Sequence, residues 1–431
     1  MAGFMANNNE VDTYLEKLDR LGVKPGLVRV KKLLNALGNP EKRLKIIHIV
    51  GTNGKSSTAR MVGAILGAHG LKAGVYISPH LVSFCERYVI NSKEITEQRF
   101  AKLIMEVKEK ADEVDRRAKS SGPLTQFEVL TAAAFLYFHQ QKVDVAVIEA
   151  GLGGRYDATN VTKTRVQVLT NVELEHTDLL GDTITAIVRE KTAVIPDKGT
   201  VVLGNLSEEA LTEARRICAR KKAKTTTLGE EFSLLKGRGE KFDVWTAKGQ
   251  YSDLSLNLLG QHQRTNCAVA VQTAELFYKK ALDEKKLRRA LPRITMPARL
   301  EIISEKPLVI LDGAHNPSGI EGLLDSLEEF VRGKRIIGVV SILSDKDAAK
   351  MLERLLEFCD ILFITENSNP RCAPAQELAK LPAVEESKVQ TFVARDNQSA
   401  LESAFKLASI GDVILVTGSL YLLADMKRRM I

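Results

Sequence analysis

The densest chemistry in the chain lies in Gly51-Thr52-Asn53-Gly54-Lys55-Ser56-Ser57, a glycine-bearing loop between the apolar run KIIHIV and the helical pattern of TARMVGAILGAHG. Backbone N–H groups in such a loop, together with the N-terminus of the following helix, cradle phosphates, and the lysine reaches the β and γ oxygens. Ile49 stands where the ordinary spacing has a glycine, so the motif is a variant. A glycine-rich turn without nucleotide is the plainer alternative. Magnesium near phosphates needs hard oxygen ligands, commonly at the C-terminal ends of parallel strands. Ser78, closing GVYIS, and Glu149, near the end of VDVAVIEA, are placed there. Taken alone, a buried glutamate is more often a paired structural group.

Hydropathy patterning supplies the elements that must position these groups. A strand ends near Val50, a helix near Gly70, and GVYIS follows as the next strand. A long polar helix over 95–118, a helix at TQFEVLTAAAFLYFHQQ and strands at VDVAVIEA and RVQVLTNV continue the alternation. Strands alternating with helices imply a mostly parallel α/β sheet. Between Phe232 and Leu259, short strands with Lys, Gly and Asp turns suggest a small antiparallel patch, closed by a helix from His262 to Lys280. Pro292 and Pro297 in the surroundings of RITMPARLE read as a connection, giving domains over 1–296 and 297–431. The second holds five strand candidates, PLVILDGA, RIIGVVS, DILFIT, VQTFVA and DVILVTG, between helical stretches. The expected fold is α/β: an N-terminal P-loop ATPase domain plus a smaller C-terminal Rossmann-like domain.

Composition narrows the classes. A chain of 431 residues, 44% hydrophobic, can bury more than one core, which favours two or three domains. No basic start with an apolar stretch marks a signal peptide, and no run approaches ~20 apolar residues, so a cytoplasmic protein away from membranes is expected. Cys85, Cys218, Cys267, Cys359 and Cys372 are scattered without a CxxC pair, which reads as reduced thiols and argues against zinc. The excess of 62 − 54 = 8 basic residues suits anionic small molecules, while only 5% aromatics and no interleaved basic block argue against nucleic acid.

A longer set of segments occurs in order over nearly the whole chain: KPGLVRVKKLLNALGNP, GTNGK-x-S, YISPHLVSFCERYVINS, TQFE, IEAGLGGRYDATN, ELEHTDLLGDTI, REKTAVI, GQHQRTN, MPARLE and LDGAHNP. Together they resemble the bacterial dihydrofolate synthase and folylpolyglutamate synthase family of the Mur-ligase superfamily. That family usually has glycine where this chain has Ser56. The resemblance implies that ATP phosphorylates a carboxylate and that the amine of L-glutamate attacks the acyl phosphate. Lys55, a helix N-terminus and Mg²⁺ then stabilise developing charge without a covalent protein nucleophile.

The resemblance also implies residue roles. Ser78, Glu149 and His176 hold two Mg²⁺ ions beside ATP, and a monovalent cation is a further cofactor. Lys191 is a carbamylated, anionic metal ligand, although its chemistry in REKTAVI alone reads as a solvated cation. Asn266, Arg299 and Asp312 contact nucleotide at adenine, phosphate, and ribose or hinge positions; an arginine near a boundary could equally tie domains together. His315, grouped with Lys55 and Lys191 as catalytic, and Ser419 lie near the incoming glutamate, so domain closure would assemble the site, or either is a structural hydrogen bonder. Pro25, Gly26 and Leu27, then Thr125, Gln126, Phe127 and Glu128, then Tyr156, Asp157 and Ala158 match the pterin side. Asp157 can accept pterin N–H groups and Phe127 offers an aromatic wall.

The reading is thus a monomeric ligase of L-glutamate with dihydropteroate, reduced folates or both, with a preference for both. A polyglutamylase alone, a cell-wall Mur ligase and a P-loop switch ATPase are the alternatives. TQFE, GGRYDATN and SPHL disfavour the cell-wall reading, and a second domain carrying GAHNP and GSLYLL disfavours the switch.

Overall fold

The computed structural model describes residues 8–22, 24–117, 122–237, 241–328 and 330–430. The chain divides into two compact units: Met1–Ser255 with Arg264–Ile294, and Leu256–Gln263 with Thr295–Ile431.

The first unit is built on an eight-stranded sheet of β1 (Ile46–Val50), β2 (Ala73–Tyr76), β3 (Tyr88–Ile90), β4 (Lys93–Glu94), β5 (Val145–Glu149), β6 (Thr164–Leu169), β7 (Thr200–Leu203) and β8 (Lys224–Thr227). Their order is β4-β3-β2-β5-β1-β6-β7-β8. Pairing is parallel from β2 through β8, with β3 and β4 added antiparallel. The central strand β1, IIHIV, is buried at every position, as a strand covered on both faces must be. Register puts Ile49 of β1 opposite Glu149 of β5, and Val50 opposite Leu169 of β6. The loop after β1, the end of β5 and the segment after β6 therefore emerge at one edge of the sheet.

β7, β8 and the helix Glu208–Arg220 were not assigned from the sequence. β8 explains why: KTTT carries no apolar run, and its β propensity comes from branched threonines. β9 (Phe232–Lys236), β10 (Phe242–Thr246) and β11 (Gly249–Leu254) form a separate antiparallel sheet. The helix Gln261–Tyr278 follows.

The second unit has β12 (Glu301–Glu305), β13 (Leu308–Leu311), β14 (Ile336–Val340), β15 (Ile361–Ile364), β16 (Gln390–Val393) and β17 (Val413–Thr417), ordered β12-β13-β17-β14-β15-β16. All pairs are parallel except β12 with β13. β12 begins at the last residue of RITMPARLE and is not among the five strand candidates. EIISE is half exposed at a sheet edge and lacks a continuous apolar signal. Helix Ala348–Phe358 buries Met351, Leu352, Leu355 and Leu356, a helical stripe, and Asp347 caps it by accepting from the Lys350 N–H. No described helix is long and apolar enough to cross a membrane. All five cysteines are free thiols.

Candidate active site

The loop after β1 turns into the helix Lys55–Ala68 through Gly54, whose φ is 77°. A Cβ at Gly54 would stand 2.5 Å from Asn266 Oδ1, so left-handed backbone and close approach both require glycine. The segment after β6 holds the loop from below. Thr52 N–H donates to Asn171 O at 3.0 Å and Asn53 N–H to Asn171 Oδ1 at 2.7 Å. Asn53 Nδ2 donates to Glu173 Oε2 at 3.1 Å, Glu173 N–H to Thr52 Oγ at 3.1 Å, and Thr170 Oγ to Asn53 O at 2.7 Å. These anchors leave the first helical turn, whose N–H groups have no intrahelical acceptor, to face phosphate. The Lys55 ammonium lies over the loop, donating to Thr52 O at 2.7 Å.

Thr170, Asn171 and Glu173 were given no role from sequence. No local signal marks them, because their contact with the loop depends on β6 lying beside the phosphate-loop strand.

Glu149, 1% exposed, accepts from Ser56 Oγ at 2.9 Å and from the Ser78 N–H at 3.0 Å. The fold therefore gathers Ser56, Ser78 and Glu149 at the mouth of the phosphate loop. Their hydroxyl and carboxylate oxygens are the hard donors that Mg²⁺ prefers. His176 begins the short helix Thr177–Leu180 in left-handed backbone at φ 50°, with Nε2 3.6 Å from Glu175 Oε1. Among the described residues, no three His, Cys, Asp or Glu side chains converge as a metal site.

Lys191 overturns its reading as a solvated cation. It ends the helix Ile184–Lys191 only 3% exposed, and its ammonium donates to Gly51 O at 2.7 Å. Burial, then repulsion from Lys55, pushes the amine down to about 7, against the opposing pull of Glu175 and Asp157. The glycine-rich loop after β5 closes over this helix end. A Cβ at Gly154 would stand 2.6 Å from Glu190 O and 2.7 Å from Lys191 O, and Arg155 N–H donates to Glu190 O at 3.0 Å.

The three pterin-side stretches meet only in part through the side chains expected. Thr125 and Glu128 form a reciprocal capping box for the helix Gln126–Gln140. Glu128 also pairs with the partly buried Arg29 at 3.1 Å, and Arg29 donates to Lys24 O, which ties the segment before Pro25, Gly26 and Leu27 to this helix. Gln126 Nε2 donates to Leu15 O at 3.0 Å. Phe127 alone of TQFE faces the glycine-rich loop: a Cβ at Gly151 would lie 2.5 Å from its ring. Asp157 is buried, with one oxygen accepting from Leu152 N–H at 2.8 Å and the other from the Thr159 N–H at 2.9 Å and hydroxyl. Its hydrogen bonds serve the loop, while Tyr156 is 55% exposed and Ala158 is buried.

In the second unit, Asp312, at the end of β13, accepts from the N–H groups of Leu300 and Ala314, both at 2.8 Å. This fixes the left-handed backbone at Ala298 and Leu300, with Arg299 between them. A Cβ at Gly313 would lie 3.1 Å from Arg299 Nη1. His315 Nδ1 lies 2.9 Å from Gly313 O, which makes Nδ1 the protonated nitrogen. Ser419, just past β17, is buried and accepts from the Tyr421 N–H at 3.2 Å and Asn367 Nδ2 at 3.4 Å. His315 and Ser419 thus follow the carboxyl ends of neighbouring parallel strands, where open α/β sheets bind ligands.

A phosphate loop on one α/β unit and a parallel-sheet crevice on a second define the class of Mur-type ligases. Residues 49–274 match the Mur ligase middle domain, and residues 298–420 the Mur ligase glutamate ligase domain. The chain is 36% identical to the folylpolyglutamate synthase of Lacticaseibacillus casei, over 99% of each. It is 32% identical to the dihydrofolate synthase/folylpolyglutamate synthase of Bacillus subtilis, over 95% of this chain and 96% of that one. Mycobacterium tuberculosis folylpolyglutamate synthase complexed with ADP superposes with a TM-score of 0.92 at 32% identity, covering 98% and 99% of the two chains. Escherichia coli FolC in complex with DHPP and ADP gives 0.87 at 29%, covering 97% of each. The chain belongs to the dihydrofolate synthase/folylpolyglutamate synthase family of the Mur-ligase superfamily, whose members are ADP-forming, ATP-dependent ligases.

Proposed function

We propose that the protein joins L-glutamate both to dihydropteroate and to reduced folates, each through an acyl phosphate formed from ATP. ATP-dependent glutamate ligation to folates is the activity of its family. The observation that carries the site assignment is the junction of Glu149, Ser56 and Ser78 beside Lys55 and the buried Lys191 on one phosphate loop.

In this reading the first turn of the helix Lys55–Ala68 and the Lys55 ammonium bind the β and γ phosphates. Glu149, Ser78 and His176 would hold Mg²⁺, which would neutralise phosphate charge when bound. Asn266, packed against Gly54, takes the nucleotide base side, and Arg299 and Asp312 serve the phosphate and ribose or hinge. The substrate carboxylate attacks the γ phosphorus, ADP leaves, and the glutamate amine then displaces phosphate from the acyl carbon.

Lys191 joins this set as a carbamate. CO₂ adds to a neutral amine with loss of a proton, and an amine pushed down to about 7 is neutral in a large fraction at physiological pH. Phe127 and the backbone of the loop over 151–158 receive the pterin, with Asp157 holding that loop in shape. His315 and Ser419 serve the incoming glutamate.

Relatives of similar identity carry either the polyglutamylase name alone or both names. Glutamate-dependent ADP release with dihydropteroate and, separately, with tetrahydrofolate tests bifunctionality. Turnover with both is expected; turnover with tetrahydrofolate alone would reduce the protein to a polyglutamylase.

A further inference from the structure

His48 is the polar residue of β1, the strand that feeds the phosphate loop; Ile46, Ile47, Ile49 and Val50 around it are apolar. It lies mid-sheet, opposite Ile148 of β5 and Gln167 of β6, and is 1% exposed. Burial pushes its imidazole down to about 4, so the ring is neutral and carries a single N–H. Nε2 stands 2.7 Å from the Thr159 hydroxyl, while Nδ1 has no hydrogen-bond partner among the described residues. A buried ring nitrogen left unmatched costs free energy that isoleucine or valine at this position would not, so strand packing gives no reason for a histidine here.

The Thr159 contact leads to the glycine-rich loop after β5. Thr159 is 1% exposed, and its hydroxyl donates its single proton to Asp157 Oδ1. Toward His48 the same oxygen is an acceptor, which puts the histidine proton on Nε2 and leaves Nδ1 bare. Asp157 in turn accepts from the Leu152 N–H at 2.8 Å through one oxygen and from the Thr159 N–H at 2.9 Å through the other. The carboxylate thereby clamps both ends of the turn. Between those ends, Gly151 packs against the Phe127 ring and Gly154 against the backbone of Glu190 and Lys191.

Three buried side chains in series thus connect the phosphate-loop strand to the loop over 151–158, and each fixes the next: the imidazole sets the rotor of the hydroxyl, and the hydroxyl sets the carboxylate. We propose that His48 and Thr159 are positioning residues for the pterin-bearing substrate, acting through Asp157 to hold the loop against Phe127. The proposal rests on the reading that this loop receives the pterin, and it names the residues that keep the loop in its receiving shape. His48 touches neither substrate nor nucleotide in this role, so its loss is felt in acceptor binding and not in ATP binding.

Steady-state ligation with saturating L-glutamate, varying tetrahydrofolate and then MgATP, tests the assignment together with hydrogen exchange over 151–158. His48→Leu and Thr159→Val each break the series and should raise the KM for tetrahydrofolate by roughly fivefold, the scale of one lost buried hydrogen bond, with faster exchange in the loop. The KM for ATP should stay near wild type. Adding His48→Leu to Thr159→Val should raise the acceptor KM little further, because the two act in one series. His48→Gln, which keeps an N–H for the hydroxyl, should recover part of the loss. Thr159→Val keeps the shape of the side chain, so it carries the test if His48→Leu does not fold. Unchanged loop exchange and acceptor KM in folded Thr159→Val, or a rise in the ATP KM equal to that for the acceptor, would overturn the positioning role and leave the pterin reading intact. Faster loop exchange with an unchanged acceptor KM would overturn the pterin reading and the proposal with it.

Discussion

Replacing Lys191 with methionine separates what this side chain does for chemistry from what it does for folding. The amine is buried against Gly51 O, beside Lys55, and is shifted from the usual 10.5 to about 7. Keeping the protonated form in that site costs on the order of 5 kcal/mol relative to water at pH 6 and below. The native state releases its proton from about pH 7, whereas the unfolded chain holds it to 10.5. The unfolded state therefore binds more protons across that window, and wild-type stability rises with pH within it. Relative to Lys191→Met, the wild-type protein should gain roughly 2 kcal/mol between pH 7 and pH 9, read by urea denaturation in CO₂-free buffer. At pH 6 the variant should be at least as stable as wild type, yet ligation should be lost. A variant that ligates at the wild-type rate, or a stability difference that does not change with pH, would refute the buried-amine argument.

Lys55→Ala should abolish glutamate ligation while leaving the denaturation midpoint near wild type, because this lysine lies over the loop and contributes little packing. Ser56→Ala removes a donor from buried Glu149 and should lower stability by about 1 to 2 kcal/mol without nucleotide, with a smaller loss once MgATP is bound. His48 is buried and burial pushes its imidazole down to about 4, so the native state refuses a proton that the unfolded chain takes near 6.5. Its contribution is complete above pH 6.5 and fades as pH falls toward 4, by roughly 3 kcal/mol, and His48→Gln should flatten that part of the acid-stability curve.

The parallel strands were legible because buried strands such as IIHIV and VILVT write their burial as unbroken apolar runs. β8 and β12 were not, since a polar, threonine-rich strand and a half-exposed edge strand carry no such signal. The phosphate loop was legible from glycines and lysine in a strand-to-helix context. Its support by Thr170, Asn171 and Glu173 was not, because that contact depends on β1 and β6 being neighbours, which pairing and not sequence order decides. Lys191 shows the same limit in sharper form. Flanking Arg189 and Glu190 reach outward to Glu213 and Arg155, while the next residue turns inward to the phosphate loop. Thr125 and Glu128 carry a capping signature in TQFE, T-x-x-E, that accounts for their side chains by local structure alone.

Activation of a substrate carboxylate at the phosphate loop is tested directly by one isotope measurement. With tetrahydrofolate labelled by ¹⁸O in the accepting carboxylate, plus ATP, Mg²⁺ and L-glutamate, an acyl phosphate must pass one carboxylate oxygen to the departing phosphate. The predicted result is one ¹⁸O in each inorganic phosphate released, with one new amide bond per ADP formed. Amide product accompanied by unlabelled phosphate, or ATP consumption without an amide, would contradict the account.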